Sequence, residues 1–242
     1  MEQVNTVLFD LDDTLRYNDP HAHTFFCDYV QSLGIRLTAG QRRVSQRWEH
    51  TYWASSNQLT SDIEDFVEGS EGFWLNYSSR HLQALGVPKD QADHLAADVH
   101  RHMRDNYEPR SYIPNENIEA LSGLRRAGFK LGVITNRPKP IHSEMNTLNL
   151  DTYLDFFLTA AQLGAYKPDP TIFNNLLAFI GRPASDVVYV GDNYYADIVG
   201  ARNAGIRPIL LNWNALYDKT DCEEITSLRQ LPEILQPAPI RN

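Results

Sequence analysis

The chain is poor in sulfur, with two cysteines, Cys27 and Cys222, and three methionines among 242 residues. Two thiols far apart and in no paired spacing offer no disulfide framework and read as free thiols in a reducing compartment. Positive charge is scarce too: 22 Lys and Arg stand against 31 Asp and Glu, a formal net charge of −9 with a pI near 5.3. That balance disfavours nonspecific association with nucleic acid or an anionic membrane surface. Long apolar runs are missing, and none approaches the ~20 residues that span a bilayer. The first ten residues hold neither a basic leader nor an apolar signal core. Internal repeats and low-complexity tracts are absent as well. These absences predict a cytoplasmic protein with no nucleic-acid or membrane partner, and leave monomer or homodimer open.

What is present is ordinary for a folded protein: 42% hydrophobic and 22% charged residues, in a chain long enough for one large domain or a medium one carrying a smaller. The informative stretch is residues 4–15, Val-Asn-Thr-Val-Leu-Phe-Asp-Leu-Asp-Asp-Thr-Leu. An apolar, β-prone run ends there in three close carboxylates, Asp10, Asp12 and Asp13. A buried strand that delivers carboxylates at its C-terminal end puts anionic oxygens where open α/β sheets bind ligands. Gathering them without compensation is costly, so such a cluster calls for a cation.

After this strand, helical periodicity takes over. Apolar residues at helical spacing predict helices over 20–34, 39–56 and 71–86, and another opened by Pro88. From Pro114 onward strands alternate with helices: a helix at 115–127, strand 130–135, a helix after Pro140, strand 156–159, helix 170–180, strand 186–190, helix 194–204, strand 207–211 and a last helix over 223–235. This grammar implies βαβ units and a mainly parallel sheet. The expected organisation is an α/β core from residues 1–16 and 111–242, with an all-helical insert over 17–110 placed on the ligand side of the sheet. The Pro-rich tail, 237–242, is expected to be loose.

Four predicted strand or helix boundaries carry polar residues. The first gives Asp10-Leu-Asp12-Asp13-Thr14, the second Thr135-Asn136, the third Lys167-Pro168, and the fourth Gly191-Asp192-Asn193-Tyr-Tyr-Ala-Asp197. Asp-x-Asp-x-Thr, a strand-end Thr, a lone Lys and Gly-Asp-x-x-x-x-Asp, in that order, resemble the haloacid dehalogenase superfamily over about residues 4–211. The long helical insert resembles its helical-cap subtype, phosphatase branch. The resemblance implies a Rossmann-like parallel sheet with helices on both faces and an inserted helical cap.

It also implies a Mg²⁺-dependent phosphatase acting on a small phosphorylated metabolite. Asp10 would attack phosphorus and carry an acyl phosphate, splitting hydrolysis into two steps. Asp12 would protonate the leaving group and then deprotonate the attacking water. Mg²⁺ would sit on Asp10, Asp192 and the backbone carbonyl of Asp12, with Asp197 orienting the metal's waters. Thr135, Asn136 and Lys167 would bind the phosphate, where positioning and electrostatics supply most of the rate. Asp13 stands where many members carry Gly, and Asp tolerates a left-handed backbone.

Other features have plainer readings. Seven of the eight histidines fall between 21 and 102, including His21-Ala-His23 and His100-Arg-His102. On a helix, i and i+2 do not share a face, so these read as exposed histidines without a metal. Trp48 and Trp74 read as core of the insert; Arg43, Arg47, Arg101 and Arg104 read as solvated faces. Arg16 and Tyr17 directly follow the acidic loop and are expected over the site. Asp12 argues against the dehalogenase branch, which lacks that carboxylate. Lys89 is the only lysine between 16 and 112, too late in the insert for the Schiff-base lysine of the phosphonatase branch. A phosphosugar mutase and a non-catalytic binding module that retains the fold are the remaining alternatives.

Overall fold

The computed structural model describes residues 4–235, so the expected loose tail, 237–242, lies outside the described residues. The chain divides into two compact units, Met1–Tyr17 with Tyr112–Asn242, and Asn18–Ser111. The first strand, β1 (Thr6–Phe9), is fully buried. The link into the second unit, β2 (Tyr17–Asp19), pairs in a two-stranded ribbon with the return link, β3 (Arg110–Tyr112). Between them lie five helices: α1 (Ala22–Ser32), α2 (Ala39–Trp53), α3 (Asn57–Asp65), α4 (Glu71–Ala84) and α5 (Lys89–Asn106). The insert is therefore helical but flanked by short extended segments, which are too polar to show as strands in the sequence.

Local chemistry explains the helix starts. Thr38 and Gln41 form a reciprocal capping box on α2, and Ser56 and Ser70 each accept a backbone N–H at the start of α3 and α4. Helix α3, which apolar spacing did not reveal, is legible only in its Ser56 cap. Phe26, Cys27, Val30, Leu82, Leu85 and Val99 form the interior of this unit. Trp48 and Trp74 are half-buried, while Tyr52 and Phe73 are the large aromatic side chains fully enclosed.

The remaining unit continues with α6 (Asn115–Arg126), β4 (Lys130–Thr135), α7 (His142–Thr147), β5 (Phe156–Thr159), α8 (Ala160–Leu163), α9 (Pro170–Ile180) and β6 (Val187–Gly191). It ends with α10 (Gly200–Asn203), β7 (Arg207–Leu211), β8 (Glu223–Ile225) and α11 (Leu231–Ile234). The six-stranded sheet runs β5-β4-β1-β6-β7-β8, with every pair parallel. Alternation along β1 shows how both faces are covered. Val7 and Phe9 pack in one core with Leu121, Met145 and Leu231, while Leu8 packs in the other with Ile172, Phe173 and Ala201. A parallel sheet needs helices on both faces, which is why its strands read as continuous apolar runs.

Two stretches depart from the sequence reading. Over 223–235 the structure has a strand, a 3-10 turn and one short helix in place of a continuous helix. Leu228, Leu231 and Leu235 have helical spacing and are buried, but Ile225 is also buried and extends the sheet by pairing with Leu211. Ser227 then restarts the chain, accepting from the Arg229 N–H while Gln230 accepts from the Ser227 N–H. Over 194–204, a π-helical turn (Tyr194–Val199) precedes α10. Among the described residues no helix is long and apolar enough to cross a membrane.

The β8 assignment has a direct consequence. Ile225→Ala should lower unfolding stability by about 2–5 kcal/mol in urea denaturation, whereas Val67→Ser, at a site 80% exposed, should stay within about 0.5 kcal/mol.

Candidate active site

The sheet order places the C-terminal ends of β4, β1 and β6 side by side. Phe9 is level with Val133 on one side and Val190 on the other, so Asp10, Thr135 and Asp192 leave the sheet at one edge. The Asp10 N–H donates to the Val190 carbonyl at 2.9 Å, which fixes where the first loop departs. Asp13 adopts the left-handed backbone that its position demands, with φ 59°.

Lys167 is the centre of the arrangement. Its Nζ donates to Asp10 Oδ1 at 2.5 Å, to Asp197 Oδ1 at 2.6 Å and to Tyr189 Oη at 3.0 Å, and the side chain is buried. Burial alone would lower the lysine, but Asp10 and Asp197 overturn that and hold its ammonium well above the usual range. Burial pushes Asp10 up to about 7, the attraction of Lys167 being partly offset by Asp197 and Asp12. Asp192 is also raised by burial, with Asp13, Asp197 and Asp10 adding to the effect.

The remaining sequence-picked residues hold this centre in shape. Thr14 Oγ1 donates to Asp192 Oδ1 at 3.2 Å and accepts the Asp192 N–H at 3.1 Å, tying the first loop to the fourth. Asn136 clamps the lysine segment from both sides: its Nδ2 donates to the Lys167 carbonyl at 3.0 Å and its Oδ1 accepts the Lys167 N–H at 2.7 Å. That contact gives Asn136 a positioning job that the sequence did not indicate. Thr135 is buried, and its hydroxyl accepts the Arg137 N–H at 3.4 Å. Asp197 sits in the π-helical turn, where its Oδ2 accepts the Asn193 N–H at 3.0 Å; such turns recur at functional sites.

Two glycines make this closeness possible. A Cβ on Gly191 would lie 2.3 Å from Asp197 Oδ2, and one on Gly200 would lie 2.7 Å from the Phe173 ring and 3.0 Å from Pro168. Both positions require hydrogen for steric reasons.

Asp12 has a different environment from Asp10. Its Oδ1 accepts from Arg16 Nη1 and from Arg137 Nη2, both at 2.6 Å, and its Oδ2 from Arg137 Nε at 2.8 Å. Glu144 completes the ring, pairing with Arg137 and standing 2.7 Å from Arg16 Nε. Arg16 was expected near the site; Arg137 and Glu144 were not, although Arg137 follows Thr135-Asn136 directly. Tyr17 packs edge-on against Trp213, with ring centroids 5.4 Å apart. Two further residues escaped the sequence reading. Tyr189 stands as a polar reach within the apolar run Val-Val-Tyr-Val, and Asn117 of α6 donates to the Thr14 and Leu15 carbonyls at 3.1 and 3.0 Å.

The donor chemistry suits a hard divalent cation. Carboxylate oxygens of Asp10, Asp192 and Asp197 lie within 4.8 Å of one another. Oxygen-only donor sets select magnesium, calcium or manganese over softer metals. Three carboxylates facing one ammonium leave an excess of two negative charges when all are ionised, and a divalent ion offsets that.

The open parallel α/β sheet gathers carboxylates and a buried lysine at its strand ends, the edge where doubly wound α/β proteins bind their ligands. A model of the haloacid dehalogenase-like hydrolases matches residues 4–205, and the chain belongs to that family. It is 29% identical over 213 residues to haloacid dehalogenase-like hydrolase domain-containing protein 3 of Danio rerio, covering 86% of this chain and 85% of the relative. It is 25% identical over 244 residues to glyceraldehyde 3-phosphate phosphatase of Pyrococcus furiosus, covering 98% and 95%. The crystal structure of 2-haloacid dehalogenase from Pseudomonas syringae pv. tomato matches with a TM-score of 0.55 at 29% identity, covering 96% of this chain and 98% of that one.

The positioning contacts can be tested by stability. Gly191→Ala should cost about 1–3 kcal/mol through overpacking against Asp197. Asn136→Ala should cost a similar ~1–3 kcal/mol, because it leaves the Lys167 peptide groups unpaired. Urea denaturation of both variants checks these values.

Proposed function

We propose that the protein is a Mg²⁺-dependent phosphatase that hydrolyses a small phosphorylated metabolite through an aspartyl-phosphate on Asp10. The observation that carries this reading is the buried Lys167 bridge between Asp10 and Asp197 beside a third carboxylate, Asp192. The fully aligned relative named glyceraldehyde 3-phosphate phosphatase supports both the reaction and the substrate size.

In this reading Lys167 takes Oδ1 of Asp10 and so orients the carboxylate, while its charge favours approach of an anionic phosphate. Thr135 donates its hydroxyl to the phosphate, and Asn136 acts through the Lys167 peptide as well as lying beside it. Asp10 and Asp192, with the Asp12 backbone carbonyl, would hold Mg²⁺, and Asp197 would orient its waters. When bound, the ion would offset the excess of two negative charges that the three carboxylates and Lys167 leave, and would polarise a phosphate oxygen as a Lewis acid.

Asp12 divides phosphoryl chemistry from dehalogenation. A phosphate ester needs an acid for its leaving oxygen and a base for the attacking water, and Asp12 supplies both in turn. Its Arg16–Arg137 cradle fixes the plane of the carboxylate, and one oxygen must be released from the cradle for proton transfer. The resemblance to a 2-haloacid dehalogenase structure reports shared ancestry of the scaffold; Asp12 favours the phosphatase chemistry.

Phosphate release from an aryl phosphate should require Mg²⁺, vanish with a chelator and vanish in Asp10→Asn. Equal activity of that variant would remove Asp10 from the nucleophile role. Asp12→Asn should slow hydrolysis of an alkyl phosphate by about 10²–10⁴, and slow a nitrophenyl phosphate less, since its leaving group needs little protonation. Unchanged alkyl phosphate hydrolysis would contradict the acid–base assignment.

A further inference from the structure

The helical unit contains a second group of metal-ligand atoms, unrelated to the chemistry above. His23 of α1, Glu49 of α2 and His81 of α4 each offer one donor atom, and the three atoms lie within 4.8 Å of one another. Glu49 Oε2 is 3.9 Å from His23 Nε2, and Glu49 Oε1 is 3.7 Å from His81 Nδ1. Zinc with nitrogen and oxygen ligands at ~2.0–2.1 Å requires ligand separations of about 3.4 Å when tetrahedral. Each separation is within about half an ångström of that value, and because they reach different oxygens of Glu49, that carboxylate would ligate through both.

Both histidines are buried, against the sequence reading of His23 as an exposed helical residue. Burial disfavours charge on either ring, lowering His23 to about 4 and His81 well below the usual range. The groups around them are arranged as supports. The Ser45 hydroxyl lies 2.8 Å from His23 Nε2 and 3.2 Å from His81 Nε2. Tyr77 Oη donates to Glu49 Oε1 at 3.0 Å, and Phe26 stacks flat on the His81 ring with centroids 3.9 Å apart. The contacts to His81 Nε2, to the His81 ring face and to Glu49 orient those ligands and set their basicity.

We propose that His23, Glu49 and His81 form a zinc site that ties α1, α2 and α4 together. Two imidazoles and one carboxylate suit Zn²⁺, whereas the oxygen-only set on the sheet suits Mg²⁺, so the chain sorts two metals by donor type. The Ser45 hydroxyl holds the His81 ring through Nε2, which turns Nδ1 toward Glu49, and it would give up its bond to His23 Nε2 when the metal binds there. Because each protein ligand comes from a different helix, bound zinc stabilises the helical unit by mass action.

The test uses the full chain, stripped by chelator and titrated with Zn²⁺ alone. The wild type should take up one tight zinc per chain, with a rise in melting temperature, and Asp192→Asn should retain that tight zinc. His81→Gln and Glu49→Gln should each weaken zinc by at least about 100-fold, the upper range for losing even an outer support of a metal ligand. Glu49→Gln is nearly isosteric and retains an acceptor for Tyr77, so it reads ligation separately from folding. With Co²⁺ in place of zinc, the wild type should show the intense visible absorption of a low-symmetry, nitrogen-ligated ion, and Glu49→Gln should not. Zinc that fails to bind tightly to the wild type, that binds Glu49→Gln equally well, or that is lost in Asp192→Asn would overturn the proposal.

Discussion

The site is built around one buried ammonium. Lys167 Nζ lies between Asp10 and Asp197, with the Tyr189 hydroxyl as its third partner. A charge taken out of water needs close partners, and breaking such a set by removing one leaves the others uncompensated. Much of the surrounding architecture serves that need. Adjacent parallel strands bring Asp10 and Asp192 to one edge, Gly191 leaves room for the Asp197 carboxylate, and Asn136 grips the lysine's own peptide. One ammonium cannot balance three ionised carboxylates, and burial raises Asp10 and Asp192 further by penalising their charge. That deficit is the reason for proposing that the cluster holds a divalent cation as well as forming an ion-pair network.

The frame of this arrangement was legible in the sequence because it depends on short-range signals. The apolar run before Asp10 and the Val-rich run before Gly191-Asp192 are buried strands, and periodicity located both. Parallel topology then required their C-terminal ends to share an edge. The left-handed backbone of Asp13 was legible only through the family resemblance, in which Gly is common at that position.

What the sequence concealed depends on contacts between distant segments. Arg137 and Glu144 close a ring on Asp12 and Arg16 across more than a hundred residues, and no periodicity encodes that pairing. His23, Glu49 and His81 come from three helices, whereas the visible His-x-His spacing brings no two ligands to one helix face. At the C-terminal end, regularly spaced leucines imitated a long helix while Ile225 was committed to the sheet. Burial pattern identifies which residues are inside, but several backbone paths can bury the same residues.

The carboxylate cluster around Lys167 is proposed to be a divalent-cation site. Anomalous diffraction from crystals grown with Mn²⁺, as a stand-in for Mg²⁺, tests this directly. A strong anomalous peak is expected within coordination distance of both Asp10 and Asp192, with Lys167 still bonded to Asp10. Crystals saturated with Mn²⁺ that show no peak between those two carboxylates would contradict it.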